Sequence, residues 1–305
     1  MREWRPHSEE KISIFEDYIA AFVKAAQRAP NRVYIDAFAG DTVNILSTTG
    51  DTFAGSAEIA IGAEPEFTHV ALFEKSAKRA EQLRRLRDDH PTRAITVFEG
   101  DCNAMMPSAL EALPRRAPTF AFLDSDGMEL DWRTVQLLAD HKRGVSATKV
   151  EMWILVSTSG IVRLLGDTKD PVGEARNVER VAHLYGARGP WERVRAARRA
   201  HELEPDEARR AYLFLYMDRL ANLGYKNLLA RPIHNSRGEL YVMVFATDHP
   251  AGSNIMQWAQ EQPRVIKRAP ALFDVPEERP AYEDLHTGWR EELAFELPNW
   301  EDLNK

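Results

Sequence analysis

The sequence holds a single cysteine, Cys102, among its 305 residues. One thiol cannot form a disulfide within the chain or a cysteine-based zinc site, and a reducing compartment is the expectation. Long apolar runs are missing as well, since none approaches the roughly 20 residues of a membrane span. Behind the charges of Met1 to His7 there is no apolar core of a signal peptide. The reading is a cytoplasmic protein with no membrane partner. A basic excess is also lacking: 40 Lys and Arg stand against 47 Asp and Glu, for a net charge of −7. Any nucleic-acid contact would therefore need a local patch. The histidines His7, His141, His183 and His201 are scattered without ligand spacing, so no metal site is expected.

What is present has ordinary globular composition, 44% hydrophobic and 29% charged, and is long enough to bury a full core. Residues 8–28 read as an amphipathic helix. Ser8 stands as N-cap, Ile12, Phe15, Ile19, Phe22 and Val23 recur on one face, and Pro30 follows the end. Short apolar runs then appear at Arg32–Phe38, His69–Glu74, Ala94–Glu99, Thr119–Asp124 and Val150–Ser157. They alternate with helical stretches at Gly55–Gly62, Ser76–Asp89, Asn103–Leu113 and Trp132–His141. Such alternation predicts successive βαβ units, and the nearly continuous apolar strands predict helices on both faces. Residues 160–222 read as a helical insertion, with its clearest helix at Tyr212–Leu223. Residues 226–247 read as an antiparallel hairpin closing the sheet around the turn-forming stretch His234 to Gly238. One domain over residues 1–262 and an extended segment over 263–305 are expected.

Four signals fall at successive strand ends. Tyr34-Ile-Asp-Ala-Phe-Ala-Gly40 ends a strand in an acid and a small-residue turn, the place where a doubly wound fold brings backbone to a cofactor. A turn needing glycine for its geometry alone accounts for it equally well. Asp41-Thr42 stands where the pyrophosphate fingerprint G-x-G-x-x-G needs its second glycine, which argues against a nicotinamide dehydrogenase. Glu74, followed by Lys75, could accept ribose hydroxyls or be a solvated strand-end acid, and it stands farther from Asp36 than a compact unit requires because residues 41–54 read as an inserted loop. Glu99-Gly-Asp-Cys-Asn103 offers an acid to accept the adenine amino hydrogens, with Asn103 as the cap of the next helix. Cys102 has no histidine near it in sequence, so a buried, inert thiol is favoured over a nucleophile. Asp124-Ser-Asp-Gly127 could bind a metal with Asp131, position an amine, serve as a base or simply make an Asx turn. Farther on, Arg188, Arg193, Arg195, Arg198 and Arg199 form a basic cluster. The nearby Glu202, Glu204 and Glu207 favour a salt-bridged helix over a phosphate contact.

Taken together these motifs resemble the three-Cys-motif partner (TcmP) family of class I S-adenosylmethionine-dependent methyltransferase-like proteins, commonly bacterial or phage-borne. The resemblance runs from about His7 to Gln257. It rests on Tyr34–Gly40, Gly55-Ser56, Phe73–Lys75, Gly100–Asn103, Phe122–Asp124, Leu130–Trp132, Ser159–Arg163, Tyr185-Gly186 with Trp191, and Tyr241–Thr247. It implies a Rossmann-like doubly wound α/β fold, mostly parallel, with a C-terminal antiparallel hairpin and a helical insertion. It implies S-adenosyl-L-methionine as cofactor, held by Asp36, Phe38, Gly40, Glu74, Lys75, Asp101, Cys102, Asn103 and Asp124. Asp124 and Asp126 would face the methyl acceptor, on nucleic acid or on a partner-bound product. The partner it implies is a protein with three cysteines, and the alternative function is an inactive methyltransferase-like module assisting that partner. Two positions depart from the family pattern. Asp41-Thr42 replaces its Pro-Gly, and Asp124-Ser-Asp-Gly127 replaces its Asp-Pro-Phe-Gly, removing an aromatic able to stack on a flipped base.

Overall fold

The structure, a computed structural model, describes residues 3–4, 6–46, 50, 52–125, 127–235 and 238–262. The expected extended segment 263–305 and the candidate Asp126 lie outside the described residues. The first half runs β1 (Glu3–Trp4), α1 (Pro6–Ala25), β2 (Val33–Asp36), β3 (Val43–Leu46), β4 (Thr52–Ala54), α2 (Ser56–Gly62), β5 (His69–Glu74), α3 (Ala77–Asp88), β6 (Ala94–Glu99) and α4 (Cys102–Glu111). The second half runs β7 (Thr119–Leu123), α5 (Trp132–Asp140), β8 (Glu151–Val156), α6 (Thr158–Leu165), α7 (Pro171–Tyr185), α8 (Pro190–Arg199), α9 (Pro205–Asn222), β9 (Asn227–Asn235), β10 (Gly238–Thr247) and α10 (Pro250–Glu261).

Seven strands form one sheet in the order β6-β5-β2-β7-β8-β10-β9. The first five are parallel, and β10 enters antiparallel to both β8 and β9. This is the doubly wound sheet with a closing hairpin that the sequence predicts. The chain leaves β2 toward β5 and β6, then returns to β7 on its other side. A topological switch point therefore lies between β2 and β7, where open α/β sheets bind ligands.

Alternate residues of each strand feed two cores. Tyr34, Leu72, Phe120, Phe122, Trp153 and Phe245 face α1, α2, α3 and α10. Ile35, Phe73, Leu123, Ile154 and Val244 face α4 through α9. Aromatic contacts dominate the first face, with Phe15 centred 4.6 Å from Phe122 and Tyr18 4.8 Å from Phe120. Burial on both faces is why the strands read as unbroken apolar runs.

Three expectations need correction. The first helix begins at Pro6, so Ser8 is inside it, not its cap. A proline fits the first helical turn because its missing N–H has no partner there anyway. The last insertion helix begins at Pro205, seven residues before Tyr212. Its opening Asp-Glu-Ala-Arg-Arg disguised a helix whose residues Tyr212 to Tyr216 are all buried. The segment between β2 and α2 is no plain loop: β3 and β4 pair antiparallel, and β1 joins them alongside β3 in parallel.

His141, at the end of α5, is 8% exposed, and its Nε2 has no hydrogen-bond partner among the described residues. Burial, reinforced by Arg115 and Lys142, pushes its pKa from 6.5 down to about 4. As pH falls below about 6.5 the unfolded chain takes up a proton that the folded chain refuses until about 4. Stability contributed by neutral His141 is thus complete above that window and lost through it, on the order of 1–2 kcal/mol by pH 5. Thermal melts at pH 7 and pH 5 should show a smaller acid loss for His141→Gln than for the native chain. Parallel losses would rule this histidine out as the cause.

Candidate functional site

The site is built on the end of β2. Asp36 is fully buried and its carboxylate takes three hydrogen bonds: from Tyr34 Oη at 2.7 Å, Ser56 Oγ at 2.6 Å and the Phe38 N–H at 3.2 Å. Burial pushes its pKa up to about 6, against the pull of the Ser56, Tyr34 and Phe38 hydrogen bonds. Asp36 does not line the cleft above it; it ties strand, loop and α2 together from beneath.

The loop that follows reaches the ends of both neighbouring strands, β7 and β5. Ala37 N–H donates to Phe122 O at 3.0 Å, Ala39 N–H to Phe73 O at 2.9 Å, and Gly40 N–H to Glu74 Oε2 at 3.1 Å. With Phe38, all four N–H groups are used inside the fold. A pyrophosphate site needs such groups aimed outward, so this turn has none for a dinucleotide. Gly40 has φ +65°, and a Cβ there would meet only Phe38 O, at 3.7 Å.

The cleft above the loop draws on every element expected to supply it. Phe38, Gly40, Glu74, Lys75, Asp101, Cys102 and Asp124 all line it. Glu74 is 5% exposed, and its Oε1 also accepts from Ser76 N–H at 2.6 Å and from Arg79 Nη2 at 2.7 Å. Lys75 stands at the rim, its side chain 79% exposed and 3.8 Å from Asp101. Asp101 caps α4 by accepting from Asn103 N–H at 2.9 Å. Cys102 is buried, and burial, with Asp101, Asp131 and Glu129 nearby, pushes its thiol up to about 12. It is a wall of the cleft and no nucleophile.

Asn103 does not line the cleft. Its Nδ2 donates to Glu129 O at 2.7 Å, while its Oδ1 accepts from Asp131 N–H at 3.0 Å and Thr134 Oγ1 at 2.8 Å. The side chain clamps the acidic loop after β7 to α4, and so sets where Asp124 and Glu129 meet the cleft.

Other side chains of the site carry no local signal in the sequence. Lys11, 3% exposed on α1, pairs with Asp124 Oδ2 and lies 5.6 Å from the Tyr241 ring centroid. Among the described residues no hydrogen bond reaches Asp124 Oδ1. Helix α1 is fixed over the cleft by Arg231 Nη2 on Glu10, at 2.7 Å, and Ile12 joins the lining. Arg79 and Glu129 also line it. Asn44, on β3, is 2% exposed and lines the cleft with its Oδ1 unpartnered among the described residues. A buried carbonyl oxygen left so costs about 1–3 kcal/mol. Gly55 seats the hairpin that carries it: its N–H donates to Thr42 O at 2.7 Å, and a Cβ would fall 2.2 Å from Asp41 O.

The basic cluster sits elsewhere, and Arg188, Arg195 and Arg199 pair with acids of α7 instead of with Glu202, Glu204 or Glu207. Arg195 and Arg199 both bind Glu174 Oε1, Arg199 from 2.9 Å, and Arg188 binds Glu179. Arg199 first, then Arg195, hold the Glu174 carboxyl below its usual range. Among the described residues no helix is long and apolar enough to cross a membrane, and no three His, Cys, Asp or Glu converge as metal ligands would.

No family model matches the chain, and no curated protein matches it. Solved structures do match. A Legionella pneumophila protein superposes over 79% of this chain and 85% of its own at 10% identity, with TM-score 0.46. An O-methyltransferase from Bacillus cereus in complex with SAH covers 76% of this chain and 79% of its own at 13% identity, TM-score 0.40. One from Streptomyces achromogenes, involved in tomaymycin synthesis and in complex with SAM, covers 81% and 92% at 14% identity, TM-score 0.37. These are likenesses of fold alone.

The Lys11–Asp124 pair is open to a direct test. Either Lys11→Met or Asp124→Asn breaks the buried pair from one side and should cost about 3–5 kcal/mol. The double variant removes both charges and should lose clearly less than the sum. Urea unfolding of all four proteins measures the coupling, and additive losses would mean that the pair does not form.

Proposed function

We propose that this chain binds S-adenosylmethionine in the switch-point cleft and transfers its methyl group to an acceptor entering beside Asp124. One observation carries the proposal. The first four parallel strands deliver Gly40, Glu74, Asp101 and Asp124, in chain order, into one cleft whose first turn has no N–H to offer a phosphate. That combination suits a nucleoside without a pyrophosphate. The donor set fits the rest of the cofactor: the carboxylates of Asp41, Glu74, Asp101, Asp124 and Glu129 outnumber Lys11, Lys75 and Arg79 around the cleft, a field that favours a sulfonium cation.

Each residue then has a task. Among the described residues Glu74 Oε2 takes only the Gly40 N–H, which leaves acceptor capacity for a ribose hydroxyl. Its Oε1 gains more when Arg79, 39% exposed, swings toward solvent. Asp101 offers its second oxygen to the adenine amino group, over the buried Cys102. When bound, the cofactor supplies a methyl group activated by the sulfonium. The chain's own contribution is alignment and exclusion of water. Asp124, with Oδ2 held by Lys11, presents Oδ1 to orient an N–H or O–H of the acceptor.

The finer resemblance to the three-Cys-motif partner family belongs to the same proposal. Its motif residues Tyr185 and Trp191 are buried and bonded within the helical layer, at 2.7 Å to Tyr212 O and Ala187 O. They therefore support the framework and not the chemistry. A second reading, a module that assists a three-cysteine partner without turnover, is favoured by one feature: Glu74 and Asp124 are both already ion-paired, with Arg79 and Lys11.

Titration calorimetry separates the two. The native chain should bind S-adenosylmethionine and S-adenosylhomocysteine and not NAD. Glu74→Ala should weaken both adenosyl compounds about 10–100-fold, the worth of hydrogen bonds to a charged group. Silence toward both compounds at millimolar concentration would leave the assisting module as the better account.

A further inference from the structure

At the acceptor end of the cleft the charge of Asp124 is cancelled from inside the protein. Lys11 and Asp124 form an ion pair whose side chains are 4% and 10% exposed. The ammonium is enclosed on its buried side: it bonds to Asp124 Oδ2 and to the Tyr241 hydroxyl, with the Tyr241 ring centroid at 5.6 Å. Tyr241 is 9% exposed, and burial above all pushes its hydroxyl up to about 12, so it stays neutral beside Lys11. Glu10, the adjacent residue of α1, is closed by Arg231 at 2.7 Å. Asp124 lines the cleft and Lys11 does not. The surface that an incoming acceptor meets there is a carboxylate oxygen whose charge is matched from behind by a buried ammonium.

That arrangement sorts acceptors by charge. A carboxylate or phosphate meets the Asp124 oxygen first, and the ammonium behind it is too buried to offer a contact. An ammonium or guanidinium finds a carboxylate already neutralised at contact distance, and Lys11 repels it from behind. The field of the remaining acids is met by the sulfonium itself, and Glu129 is exposed, where water and salt screen it. An uncharged N–H or O–H suits the place. It donates to Oδ1, which no hydrogen bond reaches among the described residues, and brings no further charge into a half-buried site. We propose that Lys11 is a specificity-determining residue, one that sets the transfer position for an uncharged N–H or O–H and against a cation. The inference rests on the S-adenosylmethionine reading above.

The test compares two ligands that differ in charge at the transfer position. S-adenosylhomocysteine presents a neutral sulfur there, and sinefungin presents an ammonium in place of the transferred methyl. Titration calorimetry gives the ratio of their affinities, in which any general loosening of the cleft cancels. Lys11→Met unmasks the carboxylate and should raise the preference for sinefungin about 10-fold, the worth of one unit charge several ångströms away in a partly dry cleft. Asp124→Asn leaves the ammonium unopposed and should lower that preference about 10-fold. The double variant and Lys11→Arg both keep the charge balance and should lie within about threefold of the native ratio. Lys11→Gln, which can still hydrogen-bond to Asp124, carries the same test if Lys11→Met does not fold. An unchanged ratio on loss of the Lys11 charge would overturn the inference and leave the cofactor reading standing. Shifts of the same sign in the two single variants would also overturn it, because a merely structural pair moves the ratio alike from either side. Failure of the native chain to bind either compound overturns the cofactor reading, and this inference with it.

Discussion

A carboxylate with no access to water anchors the site. Asp36 collects a tyrosine from its own strand, a backbone N–H from its own loop and the first side chain of α2. Three elements are thereby fixed relative to one group, and the loop from Ala37 to Gly40 has to cross the ends of the neighbouring strands. Each N–H along that crossing finds an acceptor there. The consequence is a closed backbone turn under an open cleft, in which recognition falls to side chains from other strand ends. Burial outweighs the hydrogen bonds, leaving the Asp36 pKa near 6.

The strand framework was legible because burial on both faces writes continuous apolar runs, and strand ends fall where polar residues interrupt them. His69–Glu74 and Ala94–Glu99 match the sequence reading residue for residue. The same rule found Gly40, Glu74, Asp101 and Asp124, which sit at those interruptions. It failed where the chemistry is long-range. Lys11 reads as one charge on the polar side of an amphipathic helix, and nothing nearby links it to a residue 113 positions away. Asn44 reads as a loop residue because β3 and β4 are four and three residues long and the segment between them breaks any alternation. Asn103 reads as the cap of the next helix, whereas Asp101 caps it and Asn103 lies in its first turn. Whether its amide turned toward a ligand or toward the next loop was not a local question.

Helices α6 to α9 explain why a chain with so many arginines need not present a basic face. Tyr185, Trp191 and Tyr216 go inward to the same core as the strands. Arginines are left at the surface of that layer, where Glu174 sits between Arg195 and Arg199. Charge that looks clustered along the sequence is thus compensated across helices. The same layer packs Arg219 over the Trp132 ring, 4.6 Å from its centroid, so one guanidinium serves as packing material.

The position of α1 has a consequence for the order of assembly. Its first turns touch three places far apart in the chain: β3 through the strand that precedes it, Asp124 through Lys11, and Arg231 of the closing hairpin through Glu10. The parallel strands mature from largely local βαβ steps, while the roof of the cleft waits for a contact that spans 221 residues. Contacts of such separation form late, after the loop-closure entropy has been met. During synthesis the sheet edge therefore exists before the pocket does. A ligand requiring both halves of the cleft finds its site only once the hairpin has joined the sheet, which ties ligand competence to completion of the fold.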